Sequence, residues 1–215
     1  MKKQNYIFFV IIVALAFLNL EVYKFLITNE ELIYNFYSEQ LVQEQIAEFI
    51  EQQKKWEWLS YAAIPLLIFI RITLVAITLS VGDFLYNINK IENSKYKEYL
   101  KISLIGEFVL IIVGYFKTGY FYLIKTDYTL LDLQQYYPLS FTNLIDLKKI
   151  QPWLIYPLQT VNLFEIVYFF VLVYGMYKLN NKKEYWRSFE ITAVSYGTGL
   201  IIWLGFIMFL TLNMT

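Results

Sequence analysis

WLSYAAIPLLIFIRITLVAITL, residues 58–79, is a long apolar run that contains one charged side chain, Arg71. An α-helix rises about 1.5 Å per residue, so about 20 apolar residues cross the ~30 Å hydrocarbon core of a bilayer. A surface helix of a soluble protein instead carries a polar face along its whole length. The run therefore predicts a transmembrane helix.

Four further apolar runs of similar length lie before and after this one. Together the five runs predict spans at residues 6–26, 58–79, 102–122, 161–179 and 189–212. Soluble proteins rarely contain five such runs, because water disfavours so much apolar surface. The sequence predicts an all-α fold in one domain, residues 1–215, forming an integral membrane bundle of five transmembrane helices. The N-terminal run is expected to be a retained helix rather than a cleaved signal peptide, since the apolar pattern continues beyond Ala14 and Ala16.

The composition agrees with this class and excludes several kinds of site. Hydrophobic residues make up 58% of the chain, charged residues 17%, and the formal net charge is zero, so no nucleic-acid partner is expected. The sequence contains no cysteine and no histidine. This excludes disulfides, thiol nucleophiles and histidine-dependent sites such as the Ser-His-Asp triad and the H-E-x-x-H zinc motif. We therefore expect no catalytic residue, no metal and no cofactor.

The distribution of positive charge predicts the orientation. If the N-terminus is cytoplasmic, most lysine and arginine residues fall in cytoplasmic segments, as the positive-inside rule requires. These cytoplasmic residues are Lys2, Lys3, Lys90, Lys95, Lys97, Lys101, Lys178, Lys182, Lys183 and Arg187. The C-terminus is then extracytoplasmic, and the protein is a multi-pass protein of the cytoplasmic (inner) membrane.

Two segments predicted outside the membrane are more apolar than ordinary loops. Residues 29–57 place Leu32, Phe36 and Phe49 at helical spacing opposite an acidic side, which predicts an amphipathic extracytoplasmic helix. Three interpretations of this helix stay open: it packs on the bundle, it lies in the lipid headgroups, or it offers a docking face to a partner. Residues 136–157 hold three prolines among apolar side chains, so we expect a short interfacial helix there, with residues 140–149 largely helical.

Charged residues inside the predicted spans are candidate functional residues, because a charge in hydrocarbon is costly. By depth and by the polar stripes around them, Arg71 and Glu107 are predicted to pair in the inner half of the membrane. Lys117 and Glu165 form a second, weaker predicted pair in the outer half. Two interpretations stay open: the pairs select helix neighbours, or they form a substrate or proton pathway.

Small residues in the last span predict close helix packing. The stretch AVSYGTG spaces Ala193 from Gly197, and Ser195 from Gly199, by four residues, which places each pair on one helix face. Such faces let two backbones approach each other. Association with a second copy or with another membrane protein through this face is an open alternative to packing within the chain.

The order of these features resembles the bacterial branch of the Yip family, polytopic membrane proteins named for Ypt/Rab-interacting proteins. The matching positions are Pro138, Leu139 and Ser140, then Val161, Leu163, Phe164 and Ile166, and finally Gly175. The likeness covers about residues 5–210, although Asn162 stands where the family usually has Asp. It implies a five-span fold and a non-enzymatic role. Eukaryotic relatives act in vesicle traffic, and some bacterial relatives support ABC exporters.

Two functions of different classes follow. The first is a non-enzymatic accessory, assembly or interaction subunit of a membrane complex, possibly an ABC exporter, whose partners are the lipid bilayer and other membrane proteins or a second copy. The second is a small transporter or channel subunit that uses the intramembrane charges, although the chain has no obvious internal repeat of the kind many transporters show. An intramembrane enzyme is disfavoured because the histidines of such sites are absent.

Overall fold

The computed structural model describes residues 3–38, 41–86, 95–180 and 184–214, and across these ranges it is helical without a strand. The helices in chain order are α1 (Lys3–Leu26), α2 (Glu30–Tyr37), α3 (Gln43–Lys55), α4 (Glu57–Tyr86), α5 (Tyr96–Leu123), α6 (Leu130–Gln135), α7 (Pro152–Thr160), α8 (Leu163–Leu179), α9 (Tyr185–Thr192) and α10 (Thr198–Met214). A π-helical turn, Ala193–Gly197, joins α9 to α10.

Four helical segments are long and apolar enough to cross a membrane: Asn5–Leu26, Glu57–Tyr86, Tyr96–Leu123 and Tyr185–Asn213. They contain four of the five predicted spans. The predicted fourth span corresponds to α8, which has 17 residues and is about 25 Å long. The structure therefore gives an all-helical chain with four long apolar helices and one shorter apolar helix.

Helix α5 is the centre of the bundle and packs against α1, α4 and α8. On its α8 side, Ile102 joins a buried cluster with Leu79, Leu172 and Met176. On its α1 side, Leu104 and Ile111 pack with Ile12, Ile68 and Ile72. Its close approach to α8 depends on two glycines. A Cβ at Gly106 would lie 2.7 Å from the Tyr168 ring, and one at Gly175 would lie 2.6 Å from Ile102.

Helix α4 is longer than the sequence predicted. The predicted spans 58–79 and 102–122 leave a basic cytoplasmic loop at residues 82–101, yet α4 continues to Tyr86 and α5 begins at Tyr96. The hydroxyl of Tyr99 donates a hydrogen bond of 2.5 Å to the buried carboxylate of Asp83, so a charged residue is accommodated inside the packed helices. This bond links the two helices at the end that the charge distribution assigns to the cytoplasm.

The segment predicted as one amphipathic helix, residues 29–57, forms α2 and α3 instead. Asn29 caps α2 by accepting a hydrogen bond from the Leu32 amide. The two helices fold against each other, since Lys54 pairs with Glu30 and the Tyr37 and Phe49 rings meet at 5.1 Å between centroids. The prediction of a single helix was wrong because it extended one periodicity across a break.

A small apolar cluster closes the opposite end of α5. Phe121 packs with Ile27 and Leu133, and the rings of Tyr120 and Tyr136 stack with centroids 4.1 Å apart. Nearby, the carboxylate of Asp132 caps α6. Burial alone would raise the pKa of Asp132, but hydrogen bonds from Lys125 and Thr129 outweigh it and lower the pKa below its usual value.

Residues 140–149, expected to be largely helical, form two short 3₁₀ helices, Phe141–Leu144 and Leu147–Lys149, and not one continuous helix. The backbone direction changes at Leu139, whose φ of 52° lies in the left-handed region. Residues on both sides of this turn then bond to the start of α8 in an antiparallel bridge, so their N–H and C=O groups are not available for a helix. Pro152 does not interrupt a helix but begins α7 at the first turn, where proline is tolerated.

Candidate functional site

Arg71 of α4 and Glu107 of α5 form an ion pair within the apolar bundle. The Arg71 Nε donates to Glu107 Oε2 at 3.1 Å, and Nη2 donates to Oε1, so the pair is bidentate. The Glu107 side chain is 0% exposed, whereas 48% of the Arg71 side chain remains accessible. The guanidinium therefore neutralises a buried carboxylate, while about half of the whole arginine side chain lies at the protein surface.

Arg71 lies far from both ends of its helix, about 21 Å along the axis from Glu57 and about 22 Å from Tyr86. Glu107 lies nearer the Tyr96 end of α5, about 16 Å from it and about 24 Å from Leu123. The location of the pair in the inner half of the membrane stays a prediction. An unpaired ion is most costly near the middle of a span, which explains the two hydrogen bonds from Arg71.

Lys117 and Glu165 do not pair, and this prediction was wrong. In the part of the chain that the structure describes, Lys117 forms no ion pair, and Glu165 accepts a hydrogen bond from the Tyr196 hydroxyl. On α5 it is Phe116 that meets α8, with its ring 5.2 Å from that of Phe164. Where α8 begins, its contact with α5 is this aromatic pair, and Tyr196, not Lys117, contacts the carboxylate of Glu165.

Glu165 lies in the first turn of α8. Its amide donates to the side chain of the N-cap residue Asn162 at 2.8 Å, which begins the helix at this point. The carboxylate interacts electrostatically with Arg71. Glu165 is thus near the Arg71–Glu107 pair without being part of it.

Tyr168 brings a third polar group to the same place. Its side chain is 1% exposed, and its hydroxyl has no hydrogen-bond partner among the described residues. It interacts electrostatically with Glu107, Arg71 and Glu165. We name these five residues, Arg71, Glu107, Glu165, Tyr168 and Tyr196, the charge cluster.

Sequence reasoning missed both tyrosines of the charge cluster. Tyr168 follows Glu165 by three residues and so lies on the same helix face, a signal that was present in the sequence. No local pattern marks Tyr196, which comes from a helix 31 residues away. Within the described ranges, no group of three Asp or Glu side chains could hold a metal ion.

The positions that resemble the Yip family cluster at the start of α8 and along it. Ser140 bridges to Asn162, and the carbonyl of Leu139 accepts from the Leu163 amide at 3.1 Å. Next to this turn, the Ser140 hydroxyl donates to the carbonyl of Tyr137 at 2.9 Å. The remaining resembling positions are Pro138 in the turn, Phe164 against Phe116, and Gly175 against Ile102.

The small residues of the last span are divided between two sides of the helix. A Cβ at Gly82 of α4 would collide with Ser195, and one at Gly199 would lie 3.2 Å from Thr78. Thus Ser195 and Gly199 pack onto Gly82 and Thr78 of α4. By contrast, a Cβ at Gly197 would meet nothing within 4 Å. Ala193 lies in the π-helical turn together with Ser195 and Gly197, and it is half-buried.

Comparison of this chain with protein-family models, with curated proteins and with solved structures finds no match. The charge cluster and the helix faces are therefore interpreted from their own geometry.

Proposed function

We propose that the chain crosses a bacterial cytoplasmic membrane five times, with the N-terminus inside and the C-terminus outside. The proposal depends on α8 as the fifth span, and its support is the packing of α8 on α5. Phe164 meets Phe116, Tyr168 meets Gly106 and Gly175 meets Ile102, so α8 runs antiparallel to α5 along about 20 Å of its axis. A helix that crosses the membrane beside α5 would pack along it in this way, which supports α8 as the fifth span.

This topology predicts a distinct labelling pattern for single cysteines. The chain has no cysteine of its own, so Asp127→Cys, Asn180→Cys and Asn213→Cys carry no background. With five spans, a membrane-impermeant maleimide added to intact cells labels positions 127 and 213, and position 180 only after permeabilisation. Labelling after denaturation controls for reactivity. Labelling at 180 in intact cells together with protection at 213 would mean that α8 does not cross.

The function that the geometry supports best is a non-enzymatic accessory or interaction subunit of a membrane complex. The observation that supports this function is a free helix face that starts at Gly197, the last residue of the π-helical turn, and continues along α10. This helix packs against α7 and otherwise makes few contacts with the bundle. Neither Gly197 nor Gly205 has a neighbour within 4 Å of a Cβ, and between them Ile201 is 71% exposed.

A glycine face differs from the usual lipid-facing surface of bulky apolar residues. Gly197, Ile201 and Gly205 are spaced by four, so they lie within about 80° around the helix axis. Such a face allows the backbone of another transmembrane helix to approach closely, which is the main source of helix association in lipid. The proposed partner is therefore a transmembrane helix of another membrane protein. The resemblance to the Yip family is consistent with this role and suggests an ABC exporter as the complex.

The experiment compares two glycine substitutions that the chain itself tolerates. At both Gly205 and the control Gly119 an added Cβ would meet nothing within 4 Å, so Gly205→Leu and Gly119→Leu are both expected to fold, which size-exclusion chromatography checks. Affinity purification in mild detergent with quantitative mass spectrometry is expected to show a membrane partner reduced about tenfold, or ~1.4 kcal/mol, in Gly205→Leu alone. Equal recovery from both variants would contradict the proposal.

The alternative, a small transporter or channel subunit, is favoured by one observation. Arg71 is central in α4, a charge far from both helix ends, and 48% of its side-chain surface is accessible. Ion or solute flux through liposomes that contain the purified protein alone would favour this alternative over the accessory role.

A further inference from the structure

The charge cluster holds one cation and two carboxylates. Arg71 gives both of its hydrogen bonds to Glu107, and Glu107 is completely buried. Glu165 has no cation of its own and receives its side-chain hydrogen bond from the neutral hydroxyl of Tyr196. With both carboxylates ionised, the cluster would carry one uncompensated negative charge.

The other elements that pack around Glu165 do not supply this missing cation. Titratable groups interact electrostatically with it from α4, the π-helical turn and the segment after α6, and one more follows it on α8. These groups are Arg71, Tyr196, Tyr137 and Tyr168. Glu107 of α5 pairs with Arg71 and interacts with Tyr168. Arg71 is the one cation among them, and in the part of the chain that the structure describes Lys117 forms no ion pair with Glu165.

An uncompensated carboxylate inside an apolar bundle is strongly unfavourable, and such a group is usually neutralised by a proton. Two carboxylates that share one cation cannot both ionise freely, as in carboxylate dyads that share a proton. The Arg71–Glu107 hydrogen bonds hold Glu107 as the ionised member. This leaves Glu165 as the carboxylate that accepts the proton.

The buried hydroxyl of Tyr168 is a second, independent observation. It lies one turn inward from Glu165 on the same face of α8 and has no hydrogen-bond partner among the described residues. A hydroxyl both donates and accepts, so it can accommodate either protonation state of the neighbouring acid. In a site for a permanently charged carboxylate, the Tyr168 hydroxyl would be expected to donate a hydrogen bond to that carboxylate.

We propose that the charge cluster is a proton-binding site in which Glu165 holds one exchangeable proton at neutral pH. A hydronium ion gives its proton to a Glu165 carboxylate oxygen: one hydronium O–H bond breaks as the carboxyl O–H bond forms, a water molecule is released, and the charge of the cluster rises by one. When the proton leaves, Glu165 competes with Glu107 for Arg71. This inference rests on the membrane location proposed above but is independent of the role of α10.

Infrared spectroscopy of the purified protein in lipid vesicles tests the site directly, because a protonated carboxyl group has its own carbonyl stretching band. At pH 7 the wild type is expected to show this band, and its amplitude is expected to fall as the pH rises. Glu165→Gln, which resembles the neutral acid, is expected to fold and to lose the band. Tyr196→Phe is expected to shift the band to higher frequency, because the carbonyl loses the hydrogen bond from the Tyr196 hydroxyl.

Asp83→Asn is the matched control, since Asp83 is another buried acid that accepts a hydrogen bond from a tyrosine. The band assigned to Glu165 is expected to persist in this variant. The absence of a protonated-carboxyl band at pH 7 in the wild type would overturn the proposal, and so would a band that Glu165→Gln leaves unchanged. Neither result depends on finding a partner protein, so this test can fail while the accessory role stands.

Discussion

Replacing Arg71 by leucine is expected to abolish most of the folded protein. The substitution leaves the carboxylate of Glu107, which is 0% exposed, without its two hydrogen bonds and without a counter-ion. Breaking a buried ion pair by removing one partner costs about 3–5 kcal/mol. Since whole domains are stable by about 5–15 kcal/mol, this loss is a large fraction of the total. Size-exclusion chromatography and thermal unfolding in detergent measure it.

Two controls distinguish loss of the pair from loss of any intramembrane charge. Lys117→Leu removes a cation that has no ion pair within the described residues, so it is expected to cost far less than Arg71→Leu. The double variant Arg71→Gln with Glu107→Gln removes both charges and is expected to be more stable than Arg71→Leu. If the Lys117 variant is equally unstable, or if the double variant gains nothing, the pair does not carry the stability assigned to it.

The charge cluster shows how much of a site a single sequence can predict. Arg71 and Glu107 were paired from their depth together with the polar stripes on their helix faces, and the structure joins them. Lys117 and Glu165 were paired from depth alone, and they do not pair within the described residues. Depth fixes a height in the membrane but not which neighbour a side chain contacts. Glu165 instead contacts Tyr196, 31 residues away, and that contact is set by packing between helices distant in sequence.

The helices themselves were predictable in their apolar centres and not at their ends. Long apolar runs identify α1, α4 and α5, because few other structures use such runs. The end of α4 was missed because Asp83 indicates a loop by composition. Its buried carboxylate is stabilised by Tyr99, and a single sequence does not show that contact. Likewise, the left-handed turn at Leu139 has no glycine to mark it.

Replacing Gly82 by alanine is expected to destabilise the protein by about 1–3 kcal/mol, the usual cost of overpacking. The new methyl group would lie well inside van der Waals contact of the Ser195 Cβ and 3.3 Å from the Ile191 carbonyl. Neither atom is the end of a flexible side chain, so the helix that contains them has to move. Because alanine favours a helix over glycine by about 1 kcal/mol, a loss of stability identifies the collision rather than the backbone effect.

Two further variants, Gly119→Ala and a second-site change at Ser195, test whether the collision with Ser195 causes this loss of stability. A Cβ at Gly119 meets nothing within 4 Å, so that variant is expected to unfold at the wild-type temperature or slightly above it. Adding Ser195→Gly to Gly82→Ala removes the colliding Cβ from the other side, and most of the lost stability is expected to return. Recovery in the double variant would show that the 78/82 and 195/199 pairs hold the last helix against α4. If Gly82→Ala is as stable as Gly119→Ala, the two helices are not in contact there.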